Sequence, residues 1–209
     1  EPIDPVRFIS NYSSGKMGYA LAESARNLGA DVELISGPVS IKMPENIKIT
    51  SVETSAEMLD AVLGKIPYCD VFISAAAISD YRPSHKLTEK HKSSDGELVI
   101  KLERGEDILK LAKETKAGLY AVGFSAETNN ISDNAKIKLE KKNIDMIISN
   151  EANHQKGLGF ESDMNEVCII EKDSMLKIPK NTKKIIADII LSRIAKNIKG
   201  NLIKIKNTR

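Results

Sequence analysis

The fold is decided by the stretch Val71-Phe72-Ile73-Ser74-Ala75-Ala76-Ala77. This largely apolar run is bounded by charged residues, which is typical of a strand buried on both faces of a parallel sheet. Residues 119–126 and 146–149 have the same character. Because helical patterns separate these runs, the sequence predicts a Rossmann-like α/β fold with a doubly wound, mainly parallel sheet.

Patterns on either side of this stretch complete the predicted sheet. Short apolar runs predict strands over 32–36 and 98–102, and runs at 167–170 and 176–178 predict an antiparallel hairpin at one edge. Residues 82–96 are polar and rich in lysine, and we expect a mobile loop there, of the kind that can serve as a lid. Helical spacing of apolar residues predicts helices over 17–28, 55–65, 106–114 and 132–142, and a closing helix that is capped by Asn181 or Thr182 and ends at Gly200.

Length and composition place the chain among ordinary globular proteins. Its 209 residues are expected to form a single domain. Lys and Arg number 31 against 29 Asp and Glu, so a net charge of +2 gives no bulk attraction to nucleic acid or to a membrane surface. Two cysteines and the lack of a membrane-length apolar segment favour a reduced, cytoplasmic protein.

The N-terminus departs from the usual doubly wound pattern, which opens with a strand and a glycine-rich turn. Residues Glu1-Pro2-Ile3-Asp4-Pro5 resemble the tail of such a turn. We therefore expect the first strand and the Gly-rich turn of the domain to be missing from residues 1–209.

The segment from Arg7 to Gly18 combines hydroxyls, an amide, two glycines and two cations just ahead of a helix. Unpaired N–H groups at a helix start attract anions, so the segment predicts an anion site, although a plain Ser-capped helix start is the alternative. It is not a P-loop, because Met17 follows Gly15-Lys16, and it lacks the dinucleotide fingerprint G-x-G-x-x-G. Tyr12-Ser13-Ser14-Gly15-Lys16 matches the Y-x-x-x-K pair of some reductases only weakly.

Three further loops should gather at the carboxyl ends of the strands, over 76–81, 125–130 and 150–160. Asp80 can hold a ribose hydroxyl or a magnesium ion there, or it can cap a helix. Phe124 can stack on a base or belong to the core. Lys138 and Lys142 share a helix face and can contact a triphosphate, or form a solvated surface.

Taken together, these segments resemble phosphopantothenoylcysteine synthetase, the ligase module of the bifunctional bacterial coenzyme A biosynthesis protein. No single motif carries the resemblance, and the segments occur in the family's order. They are 1–11, 13–18, 36–39, 76–77 with 80–82, 89–90, 122–124 with 126–130, and 159–160.

The resemblance implies a ligase that joins 4′-phosphopantothenate to L-cysteine in coenzyme A biosynthesis. CTP and Mg²⁺ would activate the carboxylate as an acyl-cytidylate, with release of pyrophosphate and then CMP. It also implies a homodimer, and a possible fusion to a flavin-dependent phosphopantothenoylcysteine decarboxylase domain. The alternatives are an NAD(P)-dependent reductase and a non-catalytic nucleotide-binding module.

The same resemblance implies a role for each of the site residues. Asn11 and Lys90 would be catalytic. Arg7, Asn11 and Ala77 would bind the acyl substrate. The residues expected to contact the nucleotide are Asp80, Lys90, Glu106, Asp107, Ile108, Leu109, Phe124, Lys138 and Lys142.

Overall fold

The computed structural model describes residues 1–92, 96–127, 131–151 and 162–206, in which five α-helices and nine strands are assigned. The part of the predicted lid at 93–95 and of the predicted loops at 128–130 and 152–160 therefore lies outside the described residues. In chain order the elements are α1 (Lys16–Asn27), β1 (Glu33–Ser36), β2 (Lys48–Ser51), α2 (Ser55–Lys65), a 3₁₀ helix (Ile66–Tyr68), β3 (Val71–Ser74), β4 (Tyr81–Pro83), β5 (Leu102–Arg104), α3 (Ile108–Thr115), β6 (Tyr120–Glu127), α4 (Ile131–Lys142), β7 (Met146–Glu151), β8 (Met164–Ile170), β9 (Met175–Thr182) and α5 (Lys183–Lys206).

The central sheet has the strand order β3-β6-β7-β8-β9. Its first three strands run parallel, with Val71 opposite Tyr120 and Val122 opposite Met146. β8 and β9 then pair antiparallel at one edge. This arrangement confirms the predicted α/β class, the mainly parallel sheet and the hairpin at its edge.

Both faces of the sheet are covered by helices. Val122 faces a core that includes Leu21 of α1 and Ile186 of α5, whereas its neighbour Ala121 faces a core that includes Leu139 of α4. Ala121 and Val122 have no exposed surface, so β6 is buried on both sides as its apolar sequence predicted. No helix among the described residues is long and apolar enough to cross a membrane.

The structure differs from the predicted elements in four places. β1 pairs with β2 in a separate parallel two-stranded sheet. β3 ends at Ser74 instead of continuing to Ala77. The strand predicted over 98–102 is found instead as β5, Leu102–Arg104, which pairs antiparallel with β4 at the start of the predicted loop. Finally, α5 continues past Gly200 to Lys206, because one glycine lowers helix stability by about 1 kcal/mol without ending the helix.

Residues 1–9 form a compact turn that brings the N-terminal segment toward the sheet. The α-ammonium group of Glu1 donates to the Ile9 carbonyl at 2.9 Å, and the Ile9 N–H donates back to the Glu1 carbonyl at 2.8 Å. Inside the turn, the Ile3 N–H donates to the Arg7 carbonyl at 2.8 Å. These bonds fix the course of the chain just before Asn11.

Asp4 lies at the centre of this turn, and its side chain has no exposed surface. Its carboxylate accepts from the N–H groups of Val6 and Arg7 at 2.8 Å each, and from Nε and Nη2 of Arg7 at 2.8 and 2.5 Å. The Arg7 guanidinium holds the pKa of Asp4 well below its usual range, and backbone N–H groups act in the same direction against the effect of burial. Asp4 is therefore charged and fully hydrogen-bonded at neutral pH.

The glycine at position 123 gives a first prediction on stability. A Cβ atom there would lie 2.7 Å from Cδ2 of Leu109, so Gly123→Val should lower the free energy of unfolding by about 1–3 kcal/mol. The matched control is Gly64→Ala in α2, where a Cβ meets nothing within 4 Å and where alanine should be neutral or stabilising by about 1 kcal/mol. Urea denaturation measures both, and equal stability of Gly123→Val and the wild type would contradict the packing described.

A second prediction concerns Asp4 and pH. Because its pKa is lowered in the folded state, Asp4 stabilises the fold above about pH 4, and that contribution is lost as the pH falls through the lower folded pKa. Asp4→Asn should therefore reduce stability at pH 7 and weaken the loss of stability under acid conditions. Thermal unfolding from pH 7 to pH 2 tests this, with the exposed Asp60→Asn as the control. An acid profile of Asp4→Asn that matches the control would refute the role of Asp4.

Candidate functional site

Asn11 and Ala77 meet at the carboxyl end of β3. The side-chain Nδ2 of Asn11 donates to the Ala77 carbonyl at 2.5 Å, across 66 positions of sequence. The structure thus brings together two of the residues that were expected to bind the acyl substrate. Ligands of doubly wound sheets lie at this end of the strands, so the contact marks the candidate site.

Arg7 joins the N-terminal turn to the segment that contains His91, and we call this contact the clamp. Its Nη2 donates to the His91 carbonyl at 2.7 Å while the guanidinium is paired with Asp4. The Leu87 N–H also donates to the Ile3 carbonyl at 2.8 Å. The segment 87–91 is therefore docked on the N-terminal turn, and the side chain of Arg7 stays 40% exposed.

Lys90 belongs to this docked segment. It is exposed and directly precedes His91, whose N–H approaches Asp4 Oδ2 at 3.4 Å. The clamp thus holds the backbone beside Lys90 while its long side chain reaches into solvent. Such a cation can neutralise a bound phosphate without a fixed partner in the protein.

Two of the expected nucleotide contacts, Asp107 and Lys142, pair with each other. Asp107 caps α3 by accepting from the Lys110 N–H at 3.1 Å, and the Nζ of Lys142 lies 2.8 Å from its Oδ2. Burial would raise the pKa of Asp107, but Lys142 and the Lys110 N–H outweigh it and lower the pKa. This pair joins the start of α3 to the end of α4.

The other expected nucleotide contacts are dispersed. Lys138 donates to the hydroxyl of the buried Ser125 at 3.0 Å, beside the end of β6. Phe124 packs against the core on the α1 and α5 side, which is the core alternative for this aromatic residue. Asp80 is exposed, and its carbonyl accepts from the Gly105 N–H at 2.9 Å, one position before Glu106.

Ile108 and Leu109 have only 3% and 7% of their surfaces exposed, so their side chains belong to the core. Only their backbone is placed to meet a ligand at the start of α3. Among the described residues, no group of three or more His, Cys, Asp or Glu side chains is placed to hold a metal ion.

Sequence reasoning missed two features of the site. The first is Asp4, whose Asx-type bonding to residues 6 and 7 is signalled by the Asp-Pro pair at its position. The second is Ser149, which pairs with Ser125 in the sheet and whose buried hydroxyl has no hydrogen-bond partner among the residues that the structure describes. No sequence pattern marks this second feature, because serine in a strand is common.

Known proteins resemble this chain over nearly its whole length. The crystal structure of the C-terminal domain of a coenzyme A biosynthesis bifunctional protein CoaBC matches it with a TM-score of 0.81 and 40% identity, and covers 96% of this chain and 91% of that one. The CoaBC protein of Vibrio vulnificus (strain CMCP6) is 41% identical over 197 residues, which are 93% of this chain and 49% of that relative.

A third relative, from an unknown prokaryotic organism, is described as a cysteine/cysteine sulfinic acid decarboxylase. It is 43% identical over 194 residues, which are 91% of this chain and 54% of that protein. The chain therefore spans about half the length of the curated relatives it matches.

These descriptions correct the predicted activity. They name coenzyme A biosynthesis and a decarboxylase, the matching family is described as a flavoprotein, and none of them names a ligase. They contradict the prediction of a CTP-dependent phosphopantothenate–cysteine ligase. They also point to a flavin in place of CTP and Mg²⁺ as the cofactor of the enzyme.

The described residues do not fit a flavin ring. Gly123, at the sheet surface beside α3, already faces Leu109 so closely that a Cβ would clash, and Phe124 is packed into the core. A family model matches residues 1–198 of the chain. The chain belongs to the family described as the C-terminal domain of the DNA/pantothenate metabolism flavoproteins.

Proposed function

We propose that this chain is a phosphopantothenoyl-binding domain of a bifunctional flavoprotein of coenzyme A biosynthesis, and that the whole enzyme decarboxylates phosphopantothenoylcysteine. The names of the CoaBC relatives, which describe a bifunctional protein of coenzyme A biosynthesis, support the pathway and the bifunctional character. The family description supports a flavoprotein. Because this chain spans about half of those relatives, the decarboxylation is proposed for the whole enzyme.

The contact between Asn11 and Ala77 carries the proposal. It fixes the Asn11 amide at the carboxyl end of β3, where ligands of this fold bind. With Nδ2 committed to Ala77, the amide oxygen Oδ1 is oriented as an acceptor. A pantothenoyl group contains amide N–H donors, so Asn11 would recognise one of them.

The segment 87–91, docked on the N-terminal turn, supplies the positive charge of the proposed site. Asp4 and Arg7 hold His91, and the neighbouring Lys90 extends as a cation with its side chain exposed. We assign to Lys90 the neutralisation of the ligand's phosphate. Arg7 acts through His91 as a positioning residue, and its exposed part adds to the positive potential of the site.

The flavin is proposed to lie in the part of the enzyme that this chain does not span. This placement is supported by the packing of Leu109 against Gly123 and of Phe124 into the core. The residues described here would bind and orient the phosphopantothenoyl part of the substrate. No step of the decarboxylation is assigned to them.

A binding measurement directly tests whether this domain binds the phosphopantothenoyl group. Titration calorimetry of the chain with phosphopantothenoylcysteine should show saturable binding, and Asn11→Ala should weaken it by about tenfold, the effect of one lost hydrogen bond. Asn27→Ala, at the far end of α1, is the matched control and should bind as the wild type does. Equal affinity of Asn11→Ala and Asn27→Ala would remove Asn11 from the site.

The activity of the whole enzyme needs a separate measurement. A bifunctional protein that contains this chain should release CO₂ from phosphopantothenoylcysteine only when FMN is bound, and mass spectrometry should show the decarboxylated product. The chain by itself, supplied with FMN, should bind the substrate and release no CO₂. Rapid decarboxylation by the chain alone would contradict the placement of the flavin, and none by the whole protein would contradict the activity.

We also propose that the chain forms a homodimer. Val99, Phe8 and Tyr81 are 80%, 69% and 54% exposed, and hydrogen bonds from Ser84 to Lys101 and from Leu87 to Ile3 join the segments that carry them. Exposed apolar groups on joined segments are typical of interfaces.

Sedimentation velocity should therefore show a dimer that Val99→Glu dissociates. Met175→Glu, at an apolar residue of the edge strand β9 that is 57% exposed, should leave the dimer intact. A wild-type protein that stays monomeric at high concentration would refute the interface.

A further inference from the structure

Two parallel sheets share one helical layer in this structure without pairing to each other. β1 and β2 form the first sheet, β3 begins the second, and no ladder joins β1 to β3 among the described residues. Ile35 of β1 and Phe72 of β3 nevertheless pack against the same buried cluster, which includes Met58 and Val62 of α2. The two sheets therefore belong to one layer of the fold.

The start of α1 shows that β1 and β3 run in the same direction. The hydroxyl of Tyr19 lies 3.2 Å from that of Ser36, the last residue of β1. A Cβ atom at Gly18 would lie 3.9 Å from the Cβ of Ala75, which directly follows β3. Both strands therefore end beside the start of α1, as neighbouring strands of one parallel sheet would.

Each of these strands keeps backbone groups that point away from its partner strand. The Ser36 carbonyl accepts from the N–H of Val52, after β2, at 2.9 Å, so the N–H and C=O of the preceding residue, Ile35, point to the other side of β1. The Asp70 carbonyl accepts from the Tyr120 N–H of β6 at 3.0 Å, so by the same alternation the groups of Ile73 point away from β6. Ile35 and Ile73 thus offer their N–H and C=O groups for a further ladder on each strand.

The side chains of β3 are also less buried than those of the strand beside it. Phe72 and Ile73 are half-buried, whereas their sheet partners Ala121 and Val122 have no exposed surface. The sequence of β3 is as apolar as that of β6, which is typical of the interior of a parallel sheet and not of its edge.

The strand order identifies the place of one further strand. Doubly wound folds of the dinucleotide-binding type have the order 3-2-1-4-5-6. β2 and β1 match places 3 and 2 of this order, and β3, β6 and β7 match places 4, 5 and 6. No strand of the described residues takes place 1, which lies between β1 and β3.

Glu1 lies where a strand in that place would end. Its carboxylate accepts from the Ser55 N–H at 2.8 Å, at the start of α2, and the following residues lead to Asn11, which donates to the Ala77 carbonyl. Residues 1–11 thus cross the edge at which β1, β2 and β3 end. A strand parallel to them ends at the same edge, so it would continue directly into Glu1.

We propose that a strand formed by the residues that directly precede Glu1 in the longer enzyme pairs with both β1 and β3 and joins the two sheets into one. It would be as short as its four-residue neighbours β1 and β3, and apolar on both faces because helices cover it on each side. It would hold the turn of residues 1–9, and therefore Asn11, against the end of β3. The inference rests on the proposed place of this chain in a longer enzyme, but it is independent of the ligand and of the reaction.

Hydrogen exchange with residue-level mass spectrometry tests the proposal on residues 1–209 alone and on the bifunctional protein that contains them. The amides of Ile35 and Ile73 should exchange at least about tenfold more slowly in the longer protein, because each gains a ladder hydrogen bond. The amides of β9, at the opposite edge of the sheet, are the control and should exchange equally in both. Equal exchange of Ile35 and Ile73 in the two proteins would overturn the proposal, whatever either protein binds or catalyses.

Two proline variants separate a new ladder from general protection by the rest of the enzyme. Ile35→Pro removes the N–H that points away from β2, and its matched control Leu34→Pro removes the neighbouring N–H that points toward β2. Thermal unfolding of residues 1–209 should show the smaller loss for Ile35→Pro, as at an edge strand, whereas in the longer protein the two losses should be equal. An Ile35→Pro variant that remains as mild in the longer protein as in residues 1–209 would contradict the added strand. If a proline variant does not fold, the exchange measurement on the unsubstituted proteins decides the question.

Discussion

The parallel pairing of β3, β6 and β7, buried on both faces, is the constraint on which the rest of the structure depends. Ala121 and Val122 have no exposed surface, so each face of β6 needs its own helical layer. Strands that run in one direction between such layers must be joined by crossovers, and their carboxyl ends gather at one edge. The position of the candidate site at the end of β3 follows from this arrangement.

At that edge, a buried carboxylate organises the segments that supply side chains. Asp4 orders the turn of residues 1–9 and binds Arg7, which in turn holds the His91 carbonyl. A carboxylate without exposed surface is tolerated only because it accepts several hydrogen bonds from the backbone and a guanidinium. One charged pair thus sets the positions of both Asn11 and the segment that carries Lys90.

Local sequence patterns predicted most of the helices and strands. They could not predict contacts between residues that are far apart in the sequence. The helix at 55–65 was predicted with its observed bounds because Thr54 and Glu57 form a capping box, in which the Glu57 N–H donates to Thr54 and the Glu57 carboxylate accepts from Glu53. The clamp between Arg7 and His91 spans 84 positions, and no periodicity records such a pairing. The ligase prediction failed at another level, because a resemblance in fold and motif order does not determine an activity.

Lysine side chains on both faces of the sheet interact with groups elsewhere in the chain. Lys142 and Lys138, which looked like triphosphate ligands in sequence, interact with Asp107 and Ser125 and so join α4 to α3 and β6. Their charges serve the packing of one face of the sheet. On the opposite face, Lys16 of α1 pairs with Asp163 at 2.7 Å, and the same carboxylate opposes the effect of burial, which lowers the pKa of Lys183. On both faces of the sheet, lysine side chains therefore join neighbouring parts of the chain through their charges.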